Sequence, residues 1–324
     1  FIGIQSMTLL WPSIKILSRQ IKEILPDVHI SVGGSYTTIA GKKCLEEVEE
    51  IDSIVINEAE ETIKYLVDSI EVSKDMIQVK GIVFRKNGKV YSNEPRPLIK
   101  NIDKIPFPAR DLIDIKKYIP AMEQYKRLPV TNIYTTRGCP YSCNFCWRTM
   151  GKTTRFRSPE NVIEEIKMLH RDYGIKDITI WDDTFTLDRK RTIKIMKLLQ
   201  KENLDIIFSA HSRVNLVDEE LLKEMKKSGC WKIFFGIESM LQKNLDVLEK
   251  GTTVQQNYDA VKLTNKLGIE SEASIIFGLP GETYADCLET INRVIKLNPT
   301  YCKFFYLTPY FSETKEKIFN HGTY

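Results

Sequence analysis

From about residue 131 the chain repeats one pattern six times: a short apolar run, then an amphipathic stretch with helical spacing. The runs are TNIYTTRG (131–138), DITIWDD (177–183), DIIFSAHS (205–212), KIFFGIES (232–239), EASIIFG (272–278) and KFFYLTP (303–309). Helices are predicted between them near 158–172, 188–201, 217–228, 254–267 and 283–296, the first with Ser158 as N-cap and Pro159 in its first turn. Strand–helix–strand alternation gives parallel strands with right-handed crossovers. Six such units without a reversal predict a partial (β/α)6 TIM-like barrel over 131–324. Chemistry in parallel barrels collects at the C-terminal ends of the strands.

Residues 1–75 carry a shorter α/β pattern. FIGIQS, HISVGG and SIVIN read as strands; WPSIKILSRQIKEIL, CLEEVEE and EETIKYLVDSI read as helices. The first helix has Ile14, Leu17, Ile21 and Ile24 at helical spacing. Residues 76–130 differ: a hairpin turning at Asn87-Gly88, then the aperiodic, Pro-rich EPRPLIKNIDKIPFPARDL, read together as an interdomain connector.

With 42% hydrophobic and 28% charged residues the chain can build an ordinary globular core. A net charge of +4 over 324 residues supplies no basic stripe, so no nucleic-acid partner is expected. No apolar run approaches the roughly 18 residues of a membrane helix. The chain opens on FIGIQSMTLL, without Met, so the true N-terminus is expected upstream, and IFNHGTY reads likewise as a cut edge.

The seven cysteines are unevenly placed. Cys139, Cys143 and Cys146 fall within RGCPYSCNFCWR, while Cys44, Cys230, Cys287 and Cys302 are scattered and read as small hydrophobes. An odd count with one tight cluster argues against a secreted disulfide framework and for a reducing compartment, the cytoplasm. The spacing C-x3-C-x2-C directly follows the first barrel strand. A closed structural zinc site wants four ligands, and no fourth Cys or His lies nearby. Three thiolates on an iron–sulfur cubane leave one iron open for chemistry. Zinc or unrelated thiols remain as alternatives.

C-x3-C-x2-C with an aromatic residue, Phe145, just before the last Cys resembles the motif of the radical S-adenosylmethionine enzymes. The resemblance extends over about 131–311 and implies a 4Fe-4S cluster held by Cys139, Cys143 and Cys146. In that family the open iron chelates S-adenosylmethionine, and an electron from the cluster cleaves it to a 5′-deoxyadenosyl radical. Residue by residue, it implies an ammonium site at Asp182 and Asp183 in the DDTF segment and a carboxylate contact at Arg213, with Ser209 beside it. It places Glu238 and Ser239 near ribose and methionine. In IIFGLPGET it implies adenine contacts from the main chain around Gly278 and Gly281, more than from the Glu282 side chain. Each has a plainer role available: Asp183 and Thr184 as turn formers, Arg213 as a surface charge, His211 as a hydrogen-bonded structural residue, Ser239 as a helix cap. No catalytic side chain is assigned beyond the cluster. Ser312-Glu313-Thr314 departs from the family's usual Gly-Thr after the sixth strand, so no substrate contact is carried over to the closing loop.

Residues 1–75 resemble the second half of a Rossmann-like cobalamin-binding domain, with Ser6 and Gly33-Gly34 matching two of its segments and Glu58–Thr62 a third. In Asp27-Val28-His29 the following Gly33 falls one place late for the family's cobalt-ligand motif, so His29 reads as an ordinary strand residue. The resemblance as a whole implies a cobalamin-dependent methyltransferase acting on an unactivated carbon of a small-molecule or peptide substrate. It also implies an electron donor such as flavodoxin or ferredoxin. A cyclase or rearrangement enzyme without methyl transfer, a radical enzyme whose N-terminal sheet binds something other than cobalamin, and a non-catalytic metal-binding module are the alternatives.

Overall fold

The computed structural model describes residues 1–72, 75–148 and 150–308. The chain divides into two compact units, Phe1–Lys100 and Asn101–Tyr324. Among the described residues no helix is long and apolar enough to cross a membrane.

In the first unit β1 (Ile2–Ser6), α1 (Trp11–Ile24), β2 (Ile30–Gly34), α2 (Ser35–Ala40), α3 (Lys43–Glu47), β3 (Ser53–Val55) and α4 (Glu60–Glu71) precede a hairpin of β4 (Ile82–Lys86) and β5 (Lys89–Ser92). The sheet order is β1-β2-β3-β4-β5, with the first three strands parallel and the hairpin antiparallel. Helix α1 turns Trp11, Ile14 and Ser18 inward, with Ile21 packed alongside. Leu17 and Ile24, expected on that face, are exposed, because the buried stripe is set by Trp11 at the first helical position.

The hairpin is no connector. Ile82, Val83 and Phe84 are all buried and pair with β3. The Pro-rich tail also stays with this unit: Arg96 Nε donates to Thr62 Oγ1 at 2.8 Å and the Ile99 amide donates to Glu58 Oε2 at 2.8 Å. The unit therefore runs to Lys100 instead of stopping near residue 75.

The second unit contains β6 (Val130–Ile133), β7 (Thr136–Arg137), β8 (Arg155–Phe156), α5 (Pro159–Tyr173), β9 (Asp177–Ile180), α6 (Arg189–Glu202), β10 (Ile207–Ser212), α7 (Glu219–Lys227), β11 (Cys230–Glu238), α8 (Gln242–Val247), α9 (Val254–Lys266), β12 (Glu270–Phe277), α10 (Tyr284–Leu297) and β13 (Tyr301–Tyr306). Six strands form one parallel sheet in the order β13-β12-β11-β10-β9-β6, each beside its successor in the chain. Among the described residues β6 and β13 do not pair with each other, which leaves a six-unit barrel open.

Local chemistry sets the helix limits. Ser158 Oγ accepts from the Asn161 amide at 3.2 Å, Pro159 follows, and Gly174 ends α5 at φ +66°. Helices α9 and α10 begin with the capping boxes Thr253/Gln256 and Thr283/Asp286. Strand residues alternate in direction. Ile178, Phe208, Ile233, Phe235 and Ile275 pack into the main core with the helices, while Thr179, Ser209, Lys232, Phe234 and Glu272 line a cavity on the opposite face. The N-terminal end of the barrel is tied by Asp177, which accepts from the Lys126 amide at 2.7 Å and Trp231 Nε1 at 3.1 Å.

Candidate active site at the strand ends

The predicted first and second barrel strands are too long: β6 stops at Ile133 and β9 at Ile180. The reason is Asp182, fully buried just past β9. Its Oδ1 accepts from the amides of Thr135 at 2.6 Å and Thr136 at 2.9 Å, and Oδ2 accepts from the Thr135 hydroxyl. Held this way, the chain leaves the main sheet after β6 and forms β7, which pairs antiparallel with β8. This two-strand clasp closes the loop that carries the cysteines. Gly138 permits the closure: at φ +89°, a Cβ there would lie 2.6 Å from the Thr153 carbonyl oxygen. Burial raises the Asp182 pKa while the Thr135 and Thr136 hydrogen bonds oppose the rise. Its carboxylate is thus buried and taken up by the protein's own donors, whereas the resemblance implies an ammonium site at this residue.

Three further residues seat the loop. Arg213, itself buried, places Nη1 3.5 Å from Cys143 Sγ, lies over the Tyr141 ring at 3.7 Å, and donates through Nη2 to the Lys250 carbonyl. Asn144 donates from its amide to the Leu248 carbonyl at 3.2 Å and from Nδ2 to the Val247 carbonyl at 2.6 Å. Phe145 packs against the small cluster of Leu248, Ile276 and Leu279. The cysteine loop is therefore docked on residues 247–250.

Lys250 joins this segment to Glu238. Its Nζ lies 2.8 Å from Glu238 Oε1 and 5.5 Å from the Phe145 ring centroid, and Ser274 Oγ donates to Glu238 Oε2 at 3.1 Å. The pair is almost wholly buried, 6% and 8% exposed by side chain. Ser239 is also interior: its hydroxyl accepts from the Leu241 amide at 3.2 Å and Asn244 Nδ2 at 3.1 Å, the turn-forming role. Gly278 and Gly281 adopt φ +81° and +74°, and the Glu282 carboxylate closes their turn by accepting the Gly278 amide at 2.7 Å. Ser209 lies on the cavity face, 3.4 Å from Thr179 Oγ1.

Asp183 behaves differently from its neighbour. It keeps a solvent-exposed face, and the protein around it still desolvates the carboxylate and raises its pKa. Its charge acts on Cys139 and Cys146. Desolvation by the surrounding protein raises the Cys139 thiol and pushes Cys146, which keeps an exposed face, up to about 12, with Asp183 and Cys143 adding to both shifts. Metal capture at neutral pH would displace those protons.

Three thiols on one loop are a donor set that an iron–sulfur cubane takes. All three thiols interact electrostatically with one another. Yet among the described residues no three His, Cys, Asp or Glu side chains gather around a single metal position. A cubane needs no such convergence, because each thiolate takes its own iron. Asn144 Oδ1, Trp147 Nε1 and Thr154 Oγ1 are buried without a hydrogen-bond partner in or beside this loop. Such orphans are few in native proteins, and their concentration here suits a loop completed by a bound group.

In the first unit Ser6 and Gly34 are register partners at the C-terminal ends of β1 and β2, where open α/β sheets bind ligands. The fit to cobalamin is limited to that frame. The buried Ser6 hydroxyl is spent internally, donating to the Gly33 carbonyl at 2.9 Å and accepting from the Thr37 amide at 3.2 Å. His29 lies at the other end of β2, 2.8 Å from Ser53 Oγ, and is an ordinary strand-edge residue. The departure at Ser312-Glu313-Thr314 lies outside the described residues.

Sequence reasoning missed Lys250, Thr135 and Tyr141. Tyr141 sits inside the motif and offered a signal; Lys250 and Thr135 belong to no motif and meet their partners only in the folded chain.

The sequence profile of the radical SAM superfamily matches residues 133–294. An uncharacterized methyltransferase of Pyrococcus horikoshii is 39% identical over 95% of the chain and 67% of its own length. An anaerobic magnesium-protoporphyrin IX monomethyl ester cyclase of Rubrivivax gelatinosus is 31% identical over 92% of the chain and 55% of its length. The fold also matches the radical S-adenosylmethionine methyltransferase TsrM of Kitasatospora setae, solved with cobalamin and a 4Fe-4S cluster, at TM-score 0.76 and 19% identity. That match covers 94% of this chain and 61% of that one. The chain thus spans between about half and two thirds of these relatives. Three cysteines on a clasped loop at the ends of six parallel strands, and identity of this extent, make the chain a member of the radical SAM superfamily.

Proposed function

We propose that Cys139, Cys143 and Cys146 hold a 4Fe-4S cluster whose fourth iron takes S-adenosylmethionine, and that the protein is a cobalamin-dependent methyltransferase. Its substrate is a small molecule or peptide with an unactivated carbon. The observation that carries this is the cysteine loop: three mutually interacting thiols, clasped at the strand ends, with buried polar atoms left unpartnered around them. When bound, the cofactors supply one-electron cleavage of the sulfonium, hydrogen abstraction and a transferable methyl group.

The chain's own residues bind, orient and exclude water. Asp183 is the exposed carboxylate placed to accept hydrogen bonds from the ammonium group of S-adenosylmethionine. The Gly278–Gly281 turn offers main-chain groups to the adenine, and Ser209 stands on the interior face. Asp182, Arg213, Glu238, Ser239 and Phe145 are positioning residues for the loop and for the turns beside it. In the first unit the main chain of Gly33-Gly34 is the surface offered to cobalamin. Flavodoxin or ferredoxin would deliver electrons, in the cytoplasm. Cyclisation without methyl transfer is a second reading, favoured by the 31% identity to the cyclase.

The test is anaerobic reconstitution with iron and sulfide, then reductant and S-adenosylmethionine, with 5′-deoxyadenosine quantified. Wild type should release it and Cys143→Ala should not. Cobalt analysis of the full-length protein tests the first unit. A reconstituted protein that yields no 5′-deoxyadenosine would reject the enzyme assignment.

A further inference from the structure

A cavity of about 180 Å³ opens on the interior face of the barrel. Trp181, His211 and Phe305 line it near the C-terminal ends of β9, β10 and β13, the end that bears the cysteine loop.

The floor is ionic but balanced. Buried Glu272 lies 2.5 Å from Lys232 Nζ and 2.7 Å from Lys303 Nζ, and Lys303 also reaches Glu123 at 3.4 Å. Lys232 further donates to the Glu123 carbonyl at 2.6 Å. Two ammonium groups answered by two carboxylates leave little net charge to draw an ionic ligand. The walls are aromatic: the His211 ring lies 4.9 Å from Phe234 and 5.9 Å from Trp181, centroid to centroid, tilted by 44° and 39° to them. No described residue hydrogen-bonds the His211 ring nitrogens. Burial drives the His211 pKa down to about 4, so at neutral pH the imidazole offers one donor and one acceptor.

Size agrees. A dry cavity of about 150 Å³ takes benzene, whereas whole drug-sized ligands need roughly 300 Å³ or more. The space suits one end of a substrate.

We propose that this cavity receives a flat, uncharged aromatic ring of the substrate, one or two rings bearing an N–H or O–H that hydrogen-bonds His211. The proposal rests on the enzyme assignment above and names the substrate class that the barrel holds.

Phenol and indole are the probes, with cyclohexanol as the saturated control. The chain has four histidines, so the His211 ring resonances can be identified by their loss in His211→Phe. Phenol and indole should shift the His211 signals of the full chain saturably, and cyclohexanol should bind at least about tenfold more weakly, a difference of about 1.4 kcal/mol. His211→Phe should weaken phenol binding about tenfold, measured by calorimetry. No saturable His211 shift, equal binding of cyclohexanol, or phenol affinity unchanged in His211→Phe would overturn the ring site. Because these probes need no cluster, their failure beside intact 5′-deoxyadenosine release rejects only the cavity assignment. Binding without that release rejects only the radical chemistry.

Discussion

Arg213 Nη1 stands 3.5 Å from Cys143 Sγ, so a strand-end guanidinium touches one of the three thiols of the C-x3-C-x2-C loop. The same group stacks on Tyr141 at 3.7 Å and is tied to the Lys250 carbonyl. The guanidinium is thus a fixed donor beside that sulfur. The planar fork also seats two parts of the motif at once.

Arg213→Met should therefore weaken iron retention roughly 10- to 100-fold, the usual cost of losing a group that supports a metal ligand. Arg213→Lys should not restore it, since an ammonium cannot stack and bridge in the same way. Chelator competition on reconstituted protein reads both variants.

At Asp182 the two obvious substitutions separate. Asp182→Ala leaves the Thr135 and Thr136 amides buried without acceptors and should cost about 2–4 kcal/mol. Asp182→Asn keeps Oδ1 for both amides and can donate from Nδ2 to Thr135 Oγ1, so it should cost about 1 kcal/mol or less. Urea unfolding of the metal-free protein measures this. A large loss in Asp182→Asn would show that the charge itself is needed.

Lys250 and Glu238 form a buried ion pair. Removing one partner strands the other, so Lys250→Met should destabilise by about 3–5 kcal/mol. The double variant Lys250→Met/Glu238→Gln should recover most of that loss. A double-mutant cycle in denaturant measures the coupling, and additive losses would contradict it.

Gly34 and Gly33 differ in what a methyl group would meet. At Gly34, φ +117°, a Cβ would lie 2.4 Å from the Ser6 carbonyl oxygen; at Gly33 the nearest atom is Val55 Cβ at 3.6 Å. Gly34→Ala should cost about 1–3 kcal/mol or more, and Gly33→Ala much less. Thermal unfolding of the two variants ranks them.

His211 links the barrel interior to pH. Its folded pKa of about 4 lies below the ordinary 6.5, through burial first, with Glu272 opposing and Lys232 and Lys303 assisting. Between these values the unfolded chain binds more protons, so stability rises with pH there. Wild type should lose this stability as pH falls from 6.5 towards 4, and His211→Phe should show a flatter profile over the same window in denaturant titrations.

The repeat of apolar runs and amphipathic stretches was enough for six parallel units, and the C-x3-C-x2-C spacing was enough to single out the loop at the strand ends. Both signals are local: a period of two or 3.6, or thiols within eight positions. The helix start at Ser158 was legible for the same reason, since a cap bonds to its own helix. What Asp182, Arg213 and Glu238 do was not. Their partners, Thr135, Cys143 and Lys250, lie 47, 70 and 12 residues away, and a carboxylate in sequence looks the same whether it meets a ligand or the protein. The fold alone decided that Asp182 turns inward while Asp183 keeps a face to solvent, because burying one charge is tolerable only where backbone donors converge on it.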